Sequence, residues 1–345
     1  MELTYRTRSR LRRGCIIGLI ALVVLALIWS CWIIWVERHI VYTRDGAVLD
    51  FEQTSRDPGQ GQLAVPPGTE DPVSIYYNDG TDFAELDVSL RQISGYYITA
   101  DMLRNDIDTI RAAIAALPVG SGVMMEIKSI RGTYYYTTNI EGTYTDATMD
   151  LTAVDQLSAD SASRNLYLIA SVPAFRDRNY GAEHISSGLP FVGGNGALWV
   201  DDLGCYWLDP TDSGTLSYLE TISGELENLG FDEVMFTDFC FPESDQIDFA
   251  GNRVTAIQEA AAKLVENCGS DRFAVSFLGT GSTVQPVEGR SRLYLTGVDA
   301  ARAAATAGTF NVEDMAVNLV FMTDSYDTRY NICSVLHPMD SAAAG

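Results

Sequence analysis

LGFDEVMFTDFCFP, residues 229–242, contains the end of a predicted helix, a predicted strand and a polar strand exit. Gly230 fits the left-handed position that often ends a helix, and the apolar run 233–239 predicts a buried strand. A second helical pattern follows over 252–267. This succession of helix, strand and helix is typical of βα units, in which helices cover parallel strands.

The same alternation repeats through most of the chain. Strands are predicted over residues 93–99, 123–129, 167–172, 233–239, 273–278, 292–296, 316–323 and 332–337. Helices are predicted over 101–117, 153–162, 213–229 and 252–267, with Asp101 as the N-cap of the first. Eight repeats predict an α/β fold, a TIM-like (β/α)8 barrel that is irregular in its last units, and an open doubly wound sheet is the alternative.

An uninterrupted apolar run, GCIIGLIALVVLALIWSCWIIWV, occupies residues 14–36 and is long enough to cross a bilayer as a helix. Arginines dominate the residues before it, which places the N-terminus in the cytoplasm under the positive-inside rule. The run does not end in small residues, which favours an uncleaved anchor over a signal peptide. We therefore predict a cytoplasmic basic segment at 1–13, a transmembrane helix at 14–36, an extracytoplasmic linker at 37–90 and the barrel at 91–345.

Composition narrows the classes of function. The formal net charge of −23 disfavours binding to nucleic acid, and the 47% hydrophobic content supports a sizeable core. The three histidines and the scattered cysteines match no metal motif, so no metal and no cofactor are predicted. Four cysteines lie beyond the apolar run, and the sequence allows them either to pair or to remain thiols: Cys205, Cys240, Cys268 and Cys333.

Candidate catalytic residues lie at the predicted strand ends, where a βα barrel carries its reactive groups. In VMMEIKS, residues 123–129, Glu126 and Lys128 share one strand face, which predicts either an internal ion pair or a site inside the barrel. Asp238 ends the fourth strand and is the first catalytic candidate, with a capping role as the alternative. Asp177 and Asp324, which follow the third and seventh strands, are reserves.

Side chains that could bind a sugar surround these acids. The loop GALWVDDLGCYWLDP, residues 196–210, combines tryptophan with aspartate, a composition suited to a polar cleft. The predicted substrate-binding residues are Lys128, Arg176, Trp199, Trp207, Asp209 and Tyr135.

Five segments resemble a glycoside-hydrolase domain family of TIM barrels found in bacterial envelope and secreted proteins. They are ISGYYIT (93–99), MEIKSIRGTYYY (125–136), LIASVPAFRD (168–177), LWVDDLGCYWLDPTD (198–212) and LGFDEVMFTDFCFP (229–242). The chain has Thr237 and Cys240 where many members carry Asp and Arg, while related barrels place Asp at the position of Asp238. The resemblance implies a carbohydrate-active barrel, with Glu126, Lys128 and Asp238 near its site.

The resulting hypothesis is a membrane-anchored glycoside hydrolase that acts outside the cytoplasm on a polysaccharide or oligosaccharide of the envelope or environment. Asp238 would serve as nucleophile or base, and Glu126 as the acid with a raised pKa. The alternative is a degenerate, non-catalytic barrel that binds a glycan or a partner protein at the cell surface. A third hypothesis is a different enzyme chemistry on the same fold.

Overall fold

The computed structural model describes residues 40–43, 46–49, 89–279 and 284–339. The chain divides into two compact units, residues 1–79 and 80–345. In the first, Ile40–Thr43 pairs with Gly46–Leu49 as an antiparallel hairpin inside the predicted linker. The predicted transmembrane helix lies outside the described residues, and no helix among those described is long and apolar enough to cross a membrane.

The second unit contains a closed barrel of eight parallel strands. In chain order these are β1 Ser94–Ile98, β2 Gly122–Glu126, β3 Tyr167–Pro173, β4 Glu233–Thr237, β5 Ala274–Gly279, β6 Leu293–Thr296, β7 Leu319–Met322 and β8 Ser334–Pro338. Each strand pairs with the next, and β8 closes on β1 with Val335 opposite Ser94. The predicted barrel is confirmed, and the doubly wound alternative is wrong.

The helices lie between the strands in sequence. They are α1 Ala100–Asn105, α2 Ile107–Ala115, α3 Leu151–Ser163, α4 Arg178–Glu183, α5 Ser213–Asn228, α6 Arg253–Cys268, α7 Ala303–Ala307 and α8 Met315–Asn318. The last two have five and four residues, which agrees with the predicted irregularity of the final units.

The first predicted helix, residues 101–117, needed correction because it consists of two helices. Asp106 departs from helical geometry with φ −129° and ψ 23°, which separates α1 from α2. The N-cap is Thr99, whose hydroxyl accepts a hydrogen bond from the Met102 N–H, and not Asp101. Asp101 instead lies in the first turn and pairs with Arg104.

Two layers of apolar side chains follow from the alternation of the strands. One layer fills the barrel interior: Ile93, Met124, Ile169, Met235, Tyr294, Val320 and Leu336. The other packs between strands and helices and includes Met125, Ile127, Val234 and Phe236. Even-numbered residues of β2 and odd-numbered residues of β4 therefore face inward.

A carboxylate is enclosed at the amino end of the barrel strands. Glu233, fully buried, accepts hydrogen bonds from the hydroxyls of Tyr167 and Tyr294, each at 2.8 Å, and from Arg292. Arg292 also donates to the carbonyl oxygens of Val317 and Arg91. We call Glu233, Arg292, Tyr167 and Tyr294 the basal network. Its polar groups are matched to one another, as burial requires.

Candidate functional site

A cavity of about 280 Å³ lies at the carboxyl end of the barrel strands. Residues from β1, β2, β3, β4 and β7 or from the positions just beyond them line it, including Tyr97, Glu126, Lys128, Thr237, Asp238 and Met322. We call it the mouth cavity. The predicted catalytic residues Glu126 and Asp238 both line it, as expected for side chains at the carboxyl ends of parallel strands.

Glu126 is the last residue of β2 and shares the inward parity of Met124. Its Oε2 accepts a hydrogen bond from the backbone N–H of Ala100, the first residue of α1, at 2.9 Å. This hydrogen bond from the end of the neighbouring strand orients Glu126 at the cavity.

Asp238 reaches the mouth cavity through a local change in backbone conformation. Val234 and Phe236 face the helices, so a continued strand would point Asp238 in the same direction. Its φ of +49° breaks this alternation and brings its side chain to the cavity. Non-glycine residues adopt such angles at some energetic cost, and they cluster at functional sites.

The carboxyl of Asp238 is 24% exposed. Burial raises the pKa of Asp238, and this effect outweighs the opposing influences of Arg176 and of the Thr237 hydroxyl. Thr237 donates a hydrogen bond of 3.3 Å to Oδ2. The arrangement favours the protonated form of Asp238 more than water would.

Lys128 and Asp177 form a buried ion pair beside the cavity, with Nζ 2.6 Å from Oδ2 and both side chains inaccessible to solvent. Asp177 also accepts hydrogen bonds from the Tyr218 hydroxyl and the Tyr180 N–H. Lys128 borders the cavity, but its ammonium group is committed to Asp177. The predicted internal ion pair between Glu126 and Lys128 is therefore wrong, because Lys128 pairs with Asp177 while Glu126 accepts a hydrogen bond from Ala100. Lys128 and Asp177 neutralise each other and have no role in the proposed chemistry.

Arg176 follows β3 and lies between two aspartates. Its Nε and Nη2 lie 2.6 and 2.5 Å from Oδ2 of Asp201, while Nη1 lies 3.8 Å from Oδ1 of Asp238. The indole N–H of Trp207 donates to the same Asp201 oxygen at 3.1 Å. Trp207, predicted to bind substrate, is almost fully buried and supports this cluster instead.

The other predicted site residues have varied positions. Asp324 is exposed and accepts a 3.1 Å hydrogen bond from the Tyr97 hydroxyl. Burial, and secondarily the contact with Asp324, raises the pKa of Tyr97 to about 12. Trp199 is partly buried against the core. Asp209 accepts hydrogen bonds from the N–H and hydroxyl of Thr211, and Tyr135 is buried with the Arg104 guanidinium 5.9 Å from its ring centre. Of these residues, only Asp324 contacts a cavity-lining side chain in the hydrogen bonds described here.

Tyr97, which lines the mouth cavity, and Asp201, which pairs with Arg176, were not predicted as site residues. Tyr97 lies on the inward face of β1. The alternation of side chains in ISGYYIT, in which Tyr97 shares the parity of Ile93, could have indicated this position. Asp201 lies in the loop 196–210, in which the sequence predicts Asp209 as the aspartate that binds substrate. No spacing rule distinguishes the aspartate that reaches Arg176 from its neighbours.

The family profile described as "Putative glycosyl hydrolase domain" matches residues 95–270, slightly more than half of the chain. The chain belongs to this family. The matched residues include β1 to β4 and therefore both Glu126 and Asp238. A search of curated protein sequences returned no match.

Two solved alpha-galactosidase structures support the barrel fold of this domain. A GH36 alpha-galactosidase from Geobacillus stearothermophilus in complex with stachyose is 13% identical with a TM-score of 0.50, over 73% of this chain and 39% of that chain. A second structure of a GH36 alpha-galactosidase from that organism, in complex with 1-deoxygalactonojirimycin, is 10% identical with a TM-score of 0.50. The match covers 74% of this chain and 40% of that chain. A hypothetical protein from Ruminiclostridium thermocellum is 21% identical with a TM-score of 0.45, and the match covers 52% of this chain and 96% of that chain.

This chain thus spans about two fifths of the length of those alpha-galactosidases. At such low identity the likeness establishes a shared barrel fold and not a shared substrate.

Proposed function

We propose that the protein is a glycoside hydrolase that cleaves a polysaccharide or oligosaccharide at the mouth cavity. One observation carries this proposal: Glu126 and Asp238, from separate strands, line one solvent-reachable cavity at the carboxyl end of the barrel, in a chain of the glycosyl hydrolase domain family. Glycosidases generally use a pair of carboxylic side chains on either side of the scissile bond.

The surroundings of the two carboxyls favour the reverse of the roles expected from sequence. Asp238, whose pKa is raised by burial, would act as the general acid and protonate the oxygen of the leaving sugar. Glu126, held by the Ala100 N–H, would act as the carboxylate that attacks the sugar or activates water. Asp324 and Tyr97 would bind sugar hydroxyl groups at the edge of the cavity.

The cavity is small, at about 280 Å³ against roughly 300 to 1,000 Å³ for typical ligand sites. We infer that it holds one terminal sugar and that the remainder of the chain extends over the outer loops. The same small size, together with Thr237 in place of a family aspartate, favours a second candidate: a barrel that binds the end of a glycan without cleaving it.

The test of hydrolysis is the release of new reducing ends from a panel of polysaccharides by the purified full-length protein. The wild type is expected to release them, and Asp238→Asn and Glu126→Gln are expected to lower the rate about 10²- to 10⁴-fold, the range for loss of acid–base catalysis. Saturable glycan binding without release by the wild type would support the binding protein instead. Equal release by all three would remove both carboxyls from the mechanism.

The location of the domain is a further part of this proposal. The apolar run at 14–36 and the arginines before it support a single-pass anchor with the barrel outside the cytoplasm. Membrane fractions of cells that express the full chain should contain it, and a variant lacking residues 1–36 should leave them. Protease added to intact spheroplasts should digest the barrel, and its protection would contradict the orientation.

A further inference from the structure

Arg176 divides its donors unequally between two carboxylates. Two of its nitrogens lie within 2.6 Å of Asp201, while the third lies 3.8 Å from Asp238. The contact to Asp201 has hydrogen-bond length, and the contact to Asp238 does not. The Arg176 guanidinium, which is near enough to pair with Asp238, is therefore held mainly by Asp201.

Asp201 is fixed independently of Arg176. Its Oδ1 accepts hydrogen bonds from the N–H groups of Leu203 and Cys205, both at 2.9 Å, and its Oδ2 accepts from Trp207. Burial opposes its ionisation, but these donors and Arg176 together lower the pKa of Asp201. It is therefore a permanent anion at neutral pH.

The loop that carries Asp201 is attached to the end of β3. The N–H of Leu208 donates to the carbonyl of Phe175, and the N–H of Asp177 donates to the carbonyl of Tyr206. Arg176 lies between these two backbone contacts, and its guanidinium lies 5.6 Å from the ring centre of Trp207. The position of Asp201 relative to Arg176 is therefore set by the backbone as well as by the ion pair.

We propose that Asp201 is a positioning residue that draws Arg176 away from Asp238, so that Asp238 can carry a proton at the mouth cavity. Without Asp201, the Arg176 guanidinium would close the 3.8 Å gap and pair directly with Asp238. A directly paired carboxylate holds its charge and is a poor acid. The inference rests on the proposed function in treating Asp238 as the acid.

Other charged groups face Asp238 and must be counted. Lys128 acts on Asp238 in the same direction as Arg176 and is neutralised by Asp177, whereas the charge of Asp201 acts in the opposite direction. Glu126 borders the same cavity. Among these groups in the described part of the chain, Arg176 is the cation that lies within 4 Å of Asp238. Release of Arg176 from Asp201 should therefore affect Asp238 more than the other charged groups do.

The test is the effect of Asp238→Asn on thermal unfolding of the full-length protein, measured in three backgrounds at pH 7. In the wild-type background the substitution should raise Tm, because it removes a half-buried charge that burial disfavours. In Asp201→Asn the sign should reverse and Tm should fall, because the substitution then removes a close Arg176 pair. In Asp202→Asn, an exposed neighbour in the same loop, the effect should match that in the wild type.

A third variant keeps the test decisive if Asp201→Asn does not fold. In Arg176→Met, Asp238→Asn should raise Tm by at least as much as it does in the wild type, since no cation is left to pair with Asp238. A smaller rise in Tm on Asp238→Asn in the Arg176→Met background than in the wild type would show that Arg176 does not stabilise the charge of Asp238, and would overturn the proposal. So would an equal effect in the wild-type and Asp201→Asn backgrounds.

These measurements use no substrate. A protein that shows the sign reversal but hydrolyses no glycan would refute the proposed function and leave the role of Asp201 intact.

Discussion

The two ends of the barrel both hold acidic side chains, but the surroundings of those side chains differ. At the amino end, Glu233 is inaccessible and receives donors from Tyr167, Tyr294 and Arg292. At the carboxyl end, Asp238 is partly exposed, lies 3.8 Å from the Arg176 guanidinium and adopts a positive φ. A saturated carboxylate has no capacity left for a ligand, whereas a partly satisfied one beside a cavity does. The contrast separates residues that hold the fold from residues available for chemistry.

The largest effect is expected in the basal network. Glu233→Gln removes the negative partner of buried Arg292, and breaking a buried ion pair on one side costs about 3–5 kcal/mol. The free energy of unfolding, measured in urea, should fall by that amount, and hydrolysis by the remaining folded protein should be unchanged. Glu243→Gln, an exposed residue beyond the same strand, is the control and should leave stability unaltered.

The ion pair beside the mouth cavity should behave like the basal network. Lys128→Met leaves Asp177 buried without its cation, and we expect a loss of about 3 kcal/mol, because Tyr218 and Tyr180 still donate to Asp177. Urea unfolding against Lys263→Met, an exposed lysine of α6, measures the difference. A stable Lys128→Met protein that has lost only glycan binding would instead give Lys128 its originally predicted role.

Asp238→Asn should have the opposite sign. The pKa of Asp238 is raised in the folded protein, so the folded chain binds the proton more tightly than the unfolded chain, and its stability falls as pH rises through the folded pKa. At pH 7 the substitution should therefore raise the free energy of unfolding by about 1 kcal/mol, the usual size of a stabilising change. Below about pH 4, where Asp238 is protonated in both the folded and the unfolded chain, it should have little effect. Thermal unfolding across this pH range tests it, with exposed Asp245→Asn as control. A benefit that grows at acid pH would contradict the assignment.

The smallest effect is expected at the rim. Tyr97→Phe removes one hydrogen bond to exposed Asp324, and partly exposed hydrogen bonds contribute about 1 kcal/mol or less. The Tm should differ little from that of Tyr326→Phe, a control at a residue that is 71% exposed. If Tyr97 binds a sugar hydroxyl, KM should rise while kcat changes less. A large loss of stability would place Tyr97 with the basal network.

The fold was predictable because its information is local. Each strand contains a short apolar run, and the fourth unit alone specified a helix end, a strand and the next helix. Two boundaries failed because they depend on single side chains: Thr99 rather than Asp101 caps α1, and Asp106 separates α1 from α2. The predicted strand 316–323 was also wrong at its start, where α8 ends at Asn318 and β7 begins at Leu319.

The site was less predictable because its decisive features depend on tertiary contacts. Strand alternation placed Glu126 correctly, yet the same rule would point Asp238 toward the helices, and only its positive φ brings it to the cavity. The partners of buried charges, Lys128 with Asp177 and Glu233 with Arg292, lie 49 and 59 residues apart. Sequence spacing does not specify such pairs.

The most direct test of the central claim is the initial rate of reducing-end release on whichever glycan the wild type cleaves fastest, compared between one variant from each end of the barrel. Asp238→Asn should lose about 10²- to 10⁴-fold in rate while remaining folded. Tyr294→Phe, which removes one donor to Glu233, should lower stability and keep the rate within about twofold. The account would be contradicted if Asp238→Asn released reducing ends at the wild-type rate. It would also be contradicted if Tyr294→Phe folded normally but lost the activity that Asp238→Asn retained.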